Sequence, residues 1–85
     1  MKNNIEFNYD YLLDKIENKY NKKTMNQNID ALCREVSSFT PLRFKQIVIF
    51  KRGYFLQSEI VKISKVLCLN NDELIKSFFS EEDKI

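Results

Sequence analysis

An all-α fold is what this sequence predicts, and three observations predict it. The 85 residues include one Gly and one Pro, too little punctuation for a many-turned β fold. Apolar residues recur at intervals of three and four through much of the chain, the period of a helix face. Cap residues followed by Pro or an acid stand where several of these stripes begin. The length fits a single domain over residues 1–85. An apolar share of 44% with seven Phe belongs to a packed core and not to a disordered chain.

Asn8 can cap the first helix, with Asp10 in the first turn, where a carboxylate suits the helix dipole. Tyr9, Leu12, Leu13, Ile16 and Tyr20 form its apolar stripe, and Asp14, Lys15, Glu17 and Lys19 its solvated side. This helix should fray near Asn21-Lys22-Lys23. Thr24 caps a second helix, which turns Met25, Ile29, Leu32, Cys33 and Val36 inward. Ser37-Ser38-Phe39-Thr40 reads as a turn.

Thr40-Pro41 starts a third helix, expected over 41–50, because Thr caps and Pro is pre-set for the first helical position. Leu42, Phe44, Ile47, Val48 and Phe50 are expected to pack inward, leaving Arg43, Lys45 and Gln46 outside. The alternative here is a β-hairpin at 46–56. Gln46-Ile47-Val48-Ile49-Phe50 has strand composition, Lys51-Arg52-Gly53 suits a three-residue loop, and Tyr54-Phe55-Leu56 would return. The Thr-Pro start and the surrounding pattern favour the helix.

A fourth helix opens at Gln57 or Ser58, with Ile60, Ile63, Val66 and Leu67 inward, and ends at Cys68-Leu69. Asn70-Asn71-Asp72-Glu73 is a start signal with Asn in place of the usual Ser or Thr of a capping box. Leu74, Ile75, Phe78 and Phe79 are the apolar face of a fifth helix. Residues 1–6 and 80–85 are expected to be mobile. About five short helices make a compact bundle, and the second and third, joined by a tight turn, have the layout of a helix-turn-helix.

Composition argues against catalysis. The chain has no His, so it lacks the commonest general base and the usual partner of a Ser or Cys nucleophile. One Gly cannot build a phosphate-cradling loop. Glu81, Glu82 and Asp83 sit on the expected tail. Two isolated cysteines, Cys33 and Cys68, cannot supply the roughly four ligands of a structural zinc; they read as small buried residues in a reducing compartment. No enzyme activity, cofactor or metal is expected. No apolar run approaches the roughly 20 residues of a membrane span. The start, Met1-Lys2-Asn3-Asn4 followed by Ile5-Glu6-Phe7-Asn8, has no signal-peptide core. A cytoplasmic protein without membrane contact is expected.

The charge pattern points to nucleic acid. From Val36 to Ser58 there is no Asp or Glu, while Arg43, Lys45, Lys51 and Arg52 fall in that stretch. The net charge is only +2, so positive charge is concentrated in one central segment of a nearly neutral chain. Phosphate backbones reward that arrangement through counterion release. With the third helix in the major groove of double-stranded DNA, Arg43 and Gln46 are the candidates for base edges, since Arg pairs with guanine and Gln with adenine. Thr40, Lys45, Lys51 and Arg52 would hold phosphates. Ser37 and Ser38 would add hydrogen bonds to the backbone, and Lys22 and Lys23 would touch flanking phosphates.

The segment Phe55-Leu56-Gln57-Ser58-Glu59-Ile60, followed by Ile63, Leu67, Leu69, Asp72-Glu73-Leu74 and Phe78-Phe79, resembles the last two helices of small Cro-like and repressor-like helix-turn-helix proteins of phages and mobile elements, within the wider xenobiotic-response-element-type superfamily. Phe7-Asn8-Tyr9-Asp10-Tyr11-Leu12 resembles their first helix. The two stretches cover about half the chain. The resemblance implies an all-α fold and a sequence-specific transcriptional regulator. Family members place a small residue and Gly around the turn after the second helix. Here Leu32 to Thr40 has no Gly and is longer, and Phe50-Lys51-Arg52-Gly53 stands where an Asn-Gly-type segment often follows the recognition helix. That departure supports an alternative, a phage-type inhibitor or adaptor that keeps the scaffold but binds a protein partner through its basic central surface. Small DNA-reading domains commonly dimerise on paired half-sites, and Ile49, Tyr54, Phe78 and Phe79 are candidates for a homodimer seam.

Overall fold

A computed structural model describes residues 7–37 and 39–80. Ser38, residues 1–6 and, of the expected mobile stretch 80–85, residues 81–85 lie outside the described residues. Five helices follow in order: α1 (Asp10–Tyr20), α2 (Met25–Val36), α3 (Pro41–Val48), α4 (Gln57–Leu67) and α5 (Asn71–Phe78). No strand occurs among the described residues. The expected all-α bundle is the fold.

Local chemistry sets the helix boundaries. Thr24 Oγ1 accepts the Gln27 N–H at 3.2 Å, and Thr40 Oγ1 accepts the Arg43 N–H at 3.2 Å with Pro41 at the helix start. Each satisfies one orphan amide of a first turn. Asn8 acts one residue outside its expected place. Tyr9 is the cap residue of α1, and the Asn8 side chain accepts the Asp10 N–H at 2.8 Å. Asn21, Ser37 and Cys68 end α1, α2 and α4 in the left-handed conformation, the usual backbone device for closing a last turn.

The core gathers Leu12 and Ile16 of α1, Ile29 and Leu32 of α2, Phe44 and Ile47 of α3, Ile63 of α4 and Phe78 of α5, all essentially inaccessible. α1 packs on α2, α4 and α5, and α2 packs on α3 and α4. Aromatic residues outside the helices complete this core, among them the buried cap residue Tyr9. Phe39, read from the sequence as a turn residue, is buried. Phe55, in the loop before α4, meets the rings of Tyr9, Phe39, Phe44 and Phe78 with centroids 5.4–5.7 Å apart. Edge-on and tilted pairs of this kind contribute beyond the area they bury.

Several sequence expectations are corrected. α3 ends at Val48, two residues short of the expected end, and the hairpin alternative at 46–56 is replaced by α3 and an irregular loop. Leu42 and Phe50 were expected inside but are 66% and 61% exposed. An eight-residue helix buries one narrow face, which Phe44, Ile47 and Val48 already fill. Ile75 and Phe79 on and after α5 are also exposed, leaving Phe78 and the half-buried Leu74 inside. Cys33 is buried, but Cys68 is exposed at the left-handed end of α4. Ser80 is held, because its carbonyl accepts the Asn8 N–H at 2.6 Å.

Candidate nucleic-acid interface

The surface of interest is the outer side of α3 with the loops on either side of it. The narrow inner face of α3 fixes what remains outside. Leu42, Gln46 and Ile49 are exposed, and their spacing of four and three residues puts them in one line along the helix. Lys45 is half-buried, and its charge opposes the rise in the Cys33 pKa. Burial is the larger influence on that thiol, followed by the charge of Asp30, and it is pushed up to about 11. Cys33 is therefore a protonated packing residue at neutral pH. An open cleft of about 360 Å³ beside it, lined by Asp30, Cys33, Arg34, Phe39, Thr40 and Pro41, marks the junction of α2 and α3.

Arg43 is committed within the chain. Its Nε donates to Glu59 Oε2 and its Nη2 to Glu59 Oε1, both at 3.0 Å. Nη2 also reaches the Tyr54 carbonyl at 3.4 Å, and the guanidinium lies 5.6 Å from the centre of the Phe39 ring. A forked arginine–carboxylate pair is the strong, directional form of an ion pair. The largest single influence on Glu59 is burial, which would raise its carboxyl. Hydrogen bonds from Arg43 and the Leu56 N–H, with the charges of Arg43 and Lys62, outweigh it and bring the carboxyl below its ordinary value. The same hydrogen bond to Glu59 raises the Arg43 pKa further. Glu59 is the first acid after the acid-free stretch, and it neutralises the only arginine of α3. Nothing in the local sequence pairs two residues 16 apart across a loop, so this partner was not legible.

The other candidate residues are spread over three places. Thr40 caps α3 at the junction, and Ser37, exposed, closes α2 with its N–H on the Cys33 carbonyl at 2.9 Å. Ser38 lies outside the described residues. Beyond α3, Lys51 takes a left-handed backbone, and its ammonium donates to the Phe7 carbonyl at 2.7 Å and sits 5.5 Å from the Tyr9 ring centre. It fastens the loop to the segment before α1. Arg52 is exposed, with its N–H on the Gln46 carbonyl at 2.8 Å, so the loop folds back against the end of α3. Lys22 and Lys23 lie at the far end of α2, a helix of 12 residues and thus about 18 Å long. Their backbone amides are held by Asn28 and Gln27, and both residues are exposed.

The fold thus brings Thr40, Arg43, Lys45 and Gln46 together with Arg52, and separates Lys22 and Lys23 from them by the length of α2. Among the described residues no group of three or more His, Cys, Asp or Glu side chains could hold a metal ion, and no helix is long and apolar enough to cross a membrane. The chain matches no protein-family model, no curated protein and no solved structure.

Proposed function

We propose that this protein is a DNA-binding transcriptional regulator of the helix-turn-helix kind, related to the phage-type Cro-like and repressor-like proteins that its two end segments resemble. One observation carries the reading. α2 and α3 are consecutive and packed together across residues 37–40, while the outer line of α3 is left open to solvent in the acid-free part of the chain. A helix presented in this way fits the major groove. Arg52 beside it, with Lys22 and Lys23 at the start of α2, suits the flanking phosphates. Arg43 then positions the loop before α4 instead of reading a base. A homodimer would give the two-fold arrangement that paired half-sites require, with exposed Ile49, Tyr54 and Phe79 as its seam.

The test is titration of a labelled mixed-sequence duplex at two salt concentrations. Binding should weaken steeply with salt, and Arg52→Ala should lower the slope by about one. Absence of binding at low salt would sink the reading. A second reading, a protein-binding inhibitor or adaptor in the cytoplasm, is favoured by Phe50 and Leu56, each at least 60% exposed beside the basic loop. If that is the function, Phe50→Ser should abolish capture of the partner and leave any DNA binding unchanged.

A further inference from the structure

The chemistry of the outer line of α3 narrows what that helix can read. We propose that it is built for A·T base pairs, with Gln46 on an adenine and Leu42 against a thymine methyl group. The inference rests on the DNA-binding reading above.

The side chains in that line are Leu42, Gln46 and Ile49, all exposed. Gln pairs bidentately with the adenine major-groove edge, and an apolar side chain meets the thymine C5-methyl. Guanine is most often read by the fork of an arginine. The one arginine of α3 spends its Nε and Nη2 on the two oxygens of Glu59. Leu42 and Gln46 are four positions apart, about 6 Å along the helix axis, close to two base-pair steps. Leu42 is 66% exposed, and a thymine methyl group gives that side chain an apolar surface. The acid-free segment supplies the complementary charge for the phosphates on either side.

The full chain is tested by selection from a random duplex pool, followed by base-analogue titrations on the enriched site. The expected site carries A·T pairs at its centre in each half. Replacing the critical adenine with 7-deazaadenine should weaken binding roughly 5- to 150-fold, and Gln46→Ala should lose sensitivity to that replacement. Changing the thymine to uracil removes one methyl and should weaken binding about fourfold, with no further loss in Leu42→Ala. Both variants alter exposed side chains, and an unchanged circular dichroism spectrum confirms that they fold. A site centred on G·C pairs, or uracil sensitivity persisting in Leu42→Ala, overturns the inference and leaves DNA binding standing. Binding that enriches no sequence overturns it in the same way. Failure to bind any duplex at low salt overturns the DNA reading itself.

Discussion

The starts of α4 and α5 use the same device with different partners. In each, the third helical residue is a glutamate that turns back to the cap residue's N–H: Glu59 to Leu56 at 2.7 Å and Glu73 to Asn70 at 3.0 Å. In each, that glutamate also holds a cation from an earlier helix, Arg43 of α3 for Glu59 and Lys15 of α1 for Glu73. The difference lies in the cap and the cation. Asn70 returns the bond, accepting the Glu73 N–H at 2.8 Å, so the box at α5 is complete. Leu56 has no side-chain acceptor, so α4 has half a box. Glu59 compensates with a forked guanidinium partner, and its side chain is 13% exposed against 26% for Glu73. One junction is secured locally and the other by a contact across the loop that borders the proposed reading face.

The α4 junction is most vulnerable from beneath. Phe55→Ala removes the ring under the α4 junction and should cost about 3 kcal/mol, read as a lower urea midpoint. A cost below about 1 kcal/mol would mean that the loop repacks without it. Glu59→Ala should follow at about 2 kcal/mol, since it strips Arg43 of its fork and the Leu56 N–H of its acceptor. The pH dependence has a definite sign. The Glu59 and Glu73 carboxyls are both lowered from 4.5 in the folded chain, so the unfolded chain binds more protons near that pH. Their stabilisation is present above pH 4.5 and fades as pH falls through the lower folded values. Glu59→Gln should flatten part of that acid limb in a pH series of denaturation midpoints.

Smaller changes sharpen the contrast. Asn70→Ala should cost about 1 kcal/mol by opening the box at α5, while Leu56→Asn should stabilise by about 0.5 kcal/mol by completing the one at α4. Thermal melts of the pair should move in opposite directions. Lys15→Ala should have the smallest effect, one that shrinks in high salt, because the Lys15–Glu73 pair lies at the partly exposed surface.

The same contrast explains what was legible in the sequence. Spacing marked most of the helices, since a 3.6-residue period needs no knowledge of partners, whereas α3 needed its Thr40-Pro41 start to be told from a hairpin. Thr24, Thr40-Pro41 and Asn70-to-Glu73 were legible because a cap joins residues three apart. Phe39 and Phe55 were not, because their burial depends on how α2, α3 and α4 meet and no period marks a loop residue. Leu42 and Phe50 were placed inside on hydrophobicity, but the narrow inner face of α3 was already full. The basic candidates were recognised by type; that Arg43 faces Glu59 and Lys51 faces Phe7 depends on the tertiary fold.

The hydrogen bond between Asn8 and Ser80, with Lys15 reaching Glu73 and Phe78 entering the core beside Leu12, places the two ends of the described chain side by side. During synthesis, α1 can dock on α2 early, but the surface it reserves for α5 stays bare until the last helix has emerged. Closing so long a loop adds little extra entropy cost per residue, yet it delays the final contact and slows folding. A ribosome stalled before α5 would therefore carry a nascent chain with an open core, and proteolysis of such stalled chains should cut where the finished protein resists.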